Sequence, residues 1–188
     1  MRNFLFIAAL LLLAAMSASC KKDNGGVASS EGSAVKGGTT SMVISTPWGQ
    51  STEGSAFMYK TAQTCCFLLC EGTASSWSKA LLLPHLEIHI WESYIATDVN
   101  AMANPATAAI DINSNEKKVY VCWSTGKGQR FFDKNHYASA TGNYTFESGS
   151  VSVLKVYGIY SISFMGSGSD GKDVYGTTWT YAGSFKGM

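Results

Sequence analysis

Apolar residues fall into three regimes along this chain. From Phe4 to Ala15 they run without a polar side chain. From Lys21 to about Ser41 (KKDNGGVASSEGSAVKGGTTS) they nearly vanish, with Val27 and Val35 the only sizeable ones. From Met42 onward they return as short runs separated by Gly, Asn, Asp, Ser and Thr, which is the punctuation of a β-rich chain.

Within the third regime the clearest strand is His85-Leu86-Glu87-Ile88-His89-Ile90-Trp91. Leu86, Ile88 and Ile90 hold every second position and should face a core, which leaves His85, Glu87, His89 and Trp91 on the opposite side. Earlier runs are Met42 to Ile44, closed by Thr46-Pro47, then Ser55 to Lys60 and Cys65 to Cys70. CCFLLC is apolar on both faces, so it fits a sheet centre or a buried turn of helix, and periodicity does not choose between them. Ser75 to Leu83 reads as a short helix that Ser76 caps and Pro84 stops. Ala96 to Ala109 reads as a long connection or a short irregular helix.

Strands resume at Ile110 to Ile112 and Lys118 to Trp123, joined by Asn113-Ser114-Asn115-Glu116. After the turn Gly126-Lys127-Gly128 comes the short strand Arg130-Phe131-Phe132. The last third predicts strands at Tyr144 to Phe146, Ser150 to Leu154, Ile159 to Phe164, and Asp173 to Phe185 with a break near Gly176. Their separators are Glu147-Ser148-Gly149, Lys155 to Gly158, and Gly166 to Lys172, the last containing the hairpin dipeptide Asp170-Gly171. Short loops pair sequence neighbours antiparallel. The expectation is a single all-β domain over residues 42–188, an antiparallel β-sandwich or open β-barrel of about eight to ten short strands.

Composition sharpens this picture. Beyond Cys20 the 188-residue chain leaves 168 residues, one domain's worth. Arg2 is the signal's one charge, so 13 Lys and Arg face 13 Asp and Glu in the remainder, which is formally neutral. Neutrality, with Lys21-Lys22 and Lys117-Lys118 as the paired cations, argues against nucleic acid as a partner. Lys21 to Ser41 cannot bury enough apolar surface to offset its ordering entropy, and it reads as a flexible tether with a root-mean-square reach of about 25 Å.

Candidate chemistry is sparse, and no cofactor-binding motif is present. His85-x-Glu87-x-His89 places three potential metal ligands on one strand face, each about 6.6–6.8 Å from the next. Two such imidazoles can converge on one ion if a neighbouring strand adds a third ligand, for which His136 or a cysteine is the reserve. The blander reading, a polar strand face, carries more weight because the sequence fixes no third ligand. Cys65, Cys66, Cys70 and Cys122 permit disulfides in an exported chain, with Cys66 or Cys70 to Cys122 the favoured pairing over a strained Cys65–Cys66 bond. Small apolar core residues are the competing reading of the same thiols. Trp48, Trp77, Trp91, Trp123 and Trp179 could stack on sugar faces or fill a core, and alternation turns Trp91 outward. No nucleophile–base pair, phosphate loop or paired acidic motif is visible in the sequence.

Arg2, the apolar run and Ser17-Ala18-Ser19 ahead of Cys20 form a secretory signal too short to span a bilayer. The small residues ending in a cysteine resemble the lipobox of bacterial lipoproteins. Ser17 stands where the strict form prefers Leu, as in the relaxed lipoboxes of Bacteroidetes. The C-terminal pattern from about Asn143 to Phe185, including YSISFMGSGSDGK and a closing YAGSF, is similar to the ends of Bacteroidetes lipoproteins without an assigned activity. The resemblance implies acylation of Cys20, an outer-membrane anchor through that lipid and a β-sandwich or open-barrel body. Three functions fit: a glycan- or protein-binding module, a metal-binding protein or metalloenzyme using His85, Glu87 and His89, and a lipocalin-like carrier of a small apolar ligand.

Overall fold

A computed structural model of the chain describes residues 35–103, 108–114, 118–126, 131–133 and 144–185. The signal, Cys20, the tether as far as residue 34 and His136 lie outside the described residues. Among the described residues eleven strands follow in order: β1 (Val35–Thr46), β2 (Gly49–Ser51), β3 (Gly54–Lys60), β4 (Thr64–Glu71), β5 (His85–Trp91), β6 (Ile110–Asp111), β7 (Val119–Ser124), β8 (Phe131–Asp133), β9 (Tyr144–Val156), β10 (Ile159–Ser169) and β11 (Val174–Phe185). Two short helices, α1 (Trp77–Ala80) and α2 (Val99–Ala103), and a 3₁₀ turn (Glu92–Tyr94) lie between them.

Hydrogen bonding joins the strands in the order β10-β11-β1-β3-β4-β5-β7-β8-β9, and β9 pairs back onto β10. The sheet is therefore all-β, predominantly antiparallel and nearly closed into a barrel. Closure removes the unpaired edges that an open sheet would expose. Two seams are thin: β1 meets β3 over Val35↔Met58 and Lys36↔Phe57, and β8 meets β9 in parallel over Phe132↔Tyr144 and Asp133↔Thr145. Beyond that parallel contact, β6 and the segment after the 3₁₀ turn supply partners for β9. The Ala96 N–H donates to the Val153 carbonyl at 2.9 Å, and the Lys155 N–H donates to the Ala96 carbonyl at 2.8 Å.

Alternation along the strands decides what lies inside. Phe67, Leu86, Ile88, Ile90, Val121, Trp123, Phe132, Phe146, Val151, Ile162, Phe164, Trp179 and Tyr181 form one buried cluster. Their rings meet directly: Trp123 stacks on Phe132 at 4.8 Å, Phe146 meets Phe164 edge-on at 5.5 Å, and Phe67 lies 5.5 Å from Tyr160. Each large apolar side chain buried this way stabilises the fold by roughly 1.5–3 kcal/mol. The barrel is thus filled by its own aromatic side chains.

Glycines admit some of those rings. A Cβ on Gly168 would collide with the Phe132 ring, and one on Gly37 would collide with the Tyr181 hydroxyl and the Phe185 ring. This explains a departure from the sequence reading, in which residues 35–41 belong to the tether. In the structure they begin β1: Val35 and Lys36 pair with β3, and the residues from Gly37 pair with the end of β11, Gly37 opposite Phe185. Apolar patterning misses this because the contact depends on a missing side chain.

Other elements are longer than their patterns suggest. Glu147-Ser148-Gly149 is the middle of β9 and not a turn, with a register shift opposite Ser167/Gly168 taking up the irregularity. Gly176 lies inside an unbroken β11, opposite Ser167. CCFLLC is a strand buried on both faces. The hairpin from β9 to β10 turns at Tyr157 and Gly158, both with positive φ, at 51° and 78°. That pair of signs is the tight reversal whose twist suits antiparallel strands.

Candidate functional site

The outer face of β4, β5 and β7 is where polar chemistry collects. Register places Cys66 opposite His89, Leu68 opposite Glu87, and Cys70 opposite His85 across the β4–β5 pair. On the other side of β5, His89 faces Tyr120, Glu87 faces Cys122 and His85 faces Ser124. Leu86, Ile88 and Ile90 point inward, as their alternation predicts.

This outer face is dry, contrary to the expectation of a wetted strand face. His85 and Glu87 are 1% and 2% exposed, and the His89 side chain retains 20%. The cover is the segment containing α1, which lays Ala74, Trp77, Ala80, Leu81 and Leu83 over Phe57, Leu68 and Cys70. Its sequence logic was partly visible. Ser76 caps α1 by accepting from the Lys79 N–H at 3.3 Å, and the segment ends at Pro84. Lys36 Nζ donates to the Ala74 carbonyl at 2.9 Å, and the Ala74 N–H donates to Ser55 Oγ at 3.0 Å. These bonds hold the cover against β1 and β3.

Beneath it, three side chains form a hydrogen-bonded chain. Cys66 Sγ lies 3.3 Å from His89 Nδ1, and His89 Nε2 lies 2.8 Å from Glu87 Oε1. Tyr59 meets the imidazole edge-on at 6.4 Å between ring centres. Burial works against charge on His89, but its bonds to Cys66 and Glu87 and the negative charge beside it outweigh that, pushing its pKa up to about 10. His85 is the opposite case. Burial pulls its pKa down, partly offset by the bond to the Leu83 carbonyl at 2.7 Å, so Nδ1–H is the donor and the ring is neutral. His85 Nε2 and Glu87 Oε2 are buried with no hydrogen-bond partner.

For metal binding the geometry offers little. Both ring nitrogens of His89 are engaged, and among the described residues no three His, Cys, Asp or Glu side chains gather to hold an ion. The bridge from Cys66 or Cys70 to Cys122 does not form, and all four described thiols are free. The reason is register. β5 lies between β4 and β7, which separates those cysteines by two strand spacings of about 4.8 Å, beyond the roughly 7 Å a disulfide spans. Cys65 faces the core, whereas Cys66 and Cys70 face outward. The sequence reading missed the contact of Cys66 with His89. Alternation assigns each to a face of its own strand, and only the pairing register brings the two together.

A second feature lies on the wall formed by β1, β10 and β11. An open groove of about 490 Å³ is lined by Ser45, Thr46, Pro47, Met165, Gly166, Val174, Gly176, Thr177 and Thr178. None of these carries an ionisable side chain. Beside Pro47, Trp48 is 39% exposed and stacks on Tyr175 at 5.7 Å with 24° between the planes. Trp123 and Trp179 are fully buried, and Trp91 is 39% exposed, as alternation predicts. Comparison with known proteins finds no matching protein family, no matching curated protein and no matching solved structure.

Proposed function

We propose that this chain is an outer-membrane lipoprotein, anchored through acylated Cys20 and held off the membrane by its tether, whose barrel binds a neutral glycan on its outer wall. The observation that carries the reading is the groove between β1 and the β10–β11 hairpin. Its lining combines four hydroxyl side chains with Pro47, Met165 and Val174 and has no charge, and the residue after Pro47 is the partly exposed Trp48, whose ring packs on Tyr175 and Trp123. A pyranose presents the matching chemistry, an apolar face that stacks on an aromatic ring and a hydroxyl rim that exchanges hydrogen bonds. A charged ligand would find no counter-ion in that lining. An apolar ligand of the lipocalin kind would have to displace the rings that fill the interior.

A glycan array probed with the purified chain tests the reading. Binding to neutral oligosaccharides that falls at least about fivefold in Trp48→Ala supports it, since a stacking contact of this kind is worth about 1 kcal/mol. Silence across the array, or binding indifferent to Trp48, contradicts it. The anchor is tested separately by palmitate labelling of intact cells, where Cys20→Ala should abolish incorporation.

A further inference from the structure

Cys66, His89 and Glu87 meet the geometric demands of an activated nucleophile: a thiol within reach of a base, and the base oriented by a third group. Sγ to Nδ1 is 3.3 Å and Nε2 to Oε1 is 2.8 Å, on adjacent strands whose register is fixed by seven consecutive pairs. Such an arrangement is costly to keep for structure alone. Glu87 is buried with Oε2 unpartnered, and a buried carboxylate is among the more expensive groups a fold can carry. An apolar residue opposite Leu68 would satisfy the packing.

We propose that Cys66, His89 and Glu87 form a nucleophilic thiol site that accepts a small acyl group from an activated ester or thioester. Sγ attacks the carbonyl carbon, and the S–C bond forms while the proton shared by Sγ and Nδ1 is held on His89, whose raised pKa favours the imidazolium. The bond from carbon to the leaving oxygen or sulfur breaks with its electron pair, and the leaving group takes the proton from Nδ1. Cys66 is left S-acylated. Water then attacks the acyl carbon as Nδ1 takes its proton, the C–S bond breaks with its electron pair going to sulfur, and the proton on Nδ1 is again shared with Sγ, which releases the carboxylic acid and restores the site. Glu87 is a positioning residue: its Oε1 accepts from Nε2–H, which turns Nδ1 toward sulfur and offsets the positive charge on the ring. Approach is along the edge of His89, whose side chain keeps 20% exposure while Cys66 keeps 2%, so the site takes a small acyl group. The groups facing it are Tyr59 from β3, Glu87 from β5, and Tyr120 and Cys122 from β7, and the one charged residue of α1, Lys79, is exposed.

The test uses p-nitrophenyl acetate on the detergent-solubilised full chain, with nitrophenolate release followed by absorbance and the acetylated cysteine located by peptide mass mapping. Acetylation should fall on Cys66 and leave Cys65 and Cys70 unmodified. Burial pushes the Cys65 thiol up to about 11 and raises that of Cys70, which makes both slow internal controls. Cys66→Ala should remove the adduct, and His89→Gln should slow its formation by about a hundredfold, the lower bound for loss of a positioned base. Glu87→Gln should slow it and move the midpoint of the pH–rate profile, which a purely structural role would leave in place. An unmodified Cys66, a Cys66 no faster than Cys65 and Cys70, or a folded His89→Gln chain with the wild-type rate overturns the proposal. Should His89→Gln fail to fold, the distribution of acetyl among the wild-type cysteines decides the matter.

Discussion

Gly37 and Gly38 are neighbours in sequence and opposites in structure. A Cβ at Gly37 would strike the Tyr181 hydroxyl and the Phe185 ring, whereas one at Gly38 meets nothing within 4 Å. Gly37→Ala should destabilise the barrel by about 1–3 kcal/mol through overpacking, and Gly38→Ala should be neutral or slightly stabilising. In thermal melts the first should lower Tm by several degrees, at about 2–4 °C per kcal/mol for a domain of this size, while the second stays near wild type. Equal effects would contradict the packing of β1 on β11. The two buried histidines pull stability in opposite directions with pH. His85 is held neutral, its pKa lowered below the unfolded value of 6.5, so its contribution is present above that value and lost as pH falls below it. The pKa of His89 is raised to about 10, so its contribution is complete below 6.5 and fades as pH climbs toward 10. Denaturant titrations between pH 7 and 5 should show a smaller loss of stability in His85→Gln than in wild type, whatever the absolute stability of the variant. An unchanged slope would mean that His85 is not buried neutral.

Among the elements, β10 is the best secured. It is paired on one side with β11 from Tyr160 to Ser169 and on the other with β9 from Ile159 to Ser169. β6 is two residues long and β8 three, and β8 makes its bond to β9 through two residue pairs. Hydrogen exchange should therefore leave Ile162 to Met165 protected longest and release Ile110–Asp111 and Phe131–Asp133 first. Early exchange in β10 would contradict the nearly closed ring. The α1 cover reaches the thiol site through Tyr59, whose ring meets both Trp77 and His89. Ala80 is fully buried against the β3–β4 wall, so Ala80→Asp should lift the segment. Faster exchange at Ser76 to Leu83 with β10 unaffected would mark a detachable layer, whereas global unfolding would show the cover to be part of the barrel's core. The cap at Ser76 and the stop at Pro84 were legible in the sequence because such signals are local. That the helix packs on Phe57, Leu68 and Cys70 was not, since nothing in a four-residue helix says which surface it will cover.

At the scale of the molecule, the all-β class follows from alternation and turn residues, and both are properties of short windows. Whether the sheet folds into two layers or closes on itself depends on β11 returning to β1, with Phe185 opposite Gly37, while β8 reaches β9, contacts that no short window contains. The candidate site divides the same way. Alternation puts His85, Glu87 and His89 on one face of β5, and register with β4 then joins His89 to Cys66 and sets β5 between Cys122 and its proposed disulfide partners. The groove beside Trp48 is made by three strands from opposite ends of the chain, so its hydroxyl-lined, uncharged surface has no sequence signature. An interior packed with rings is the reason the proposed glycan site is placed on the outer wall. Amide chemical-shift mapping during titration with neutral oligosaccharides tests that claim most directly. The account predicts shifts confined to Ser45–Trp48, Met165–Gly166 and Val174–Thr178, and shifts centred on interior residues such as Phe67, Phe146 and Ile162, or no shifts at all, would contradict it.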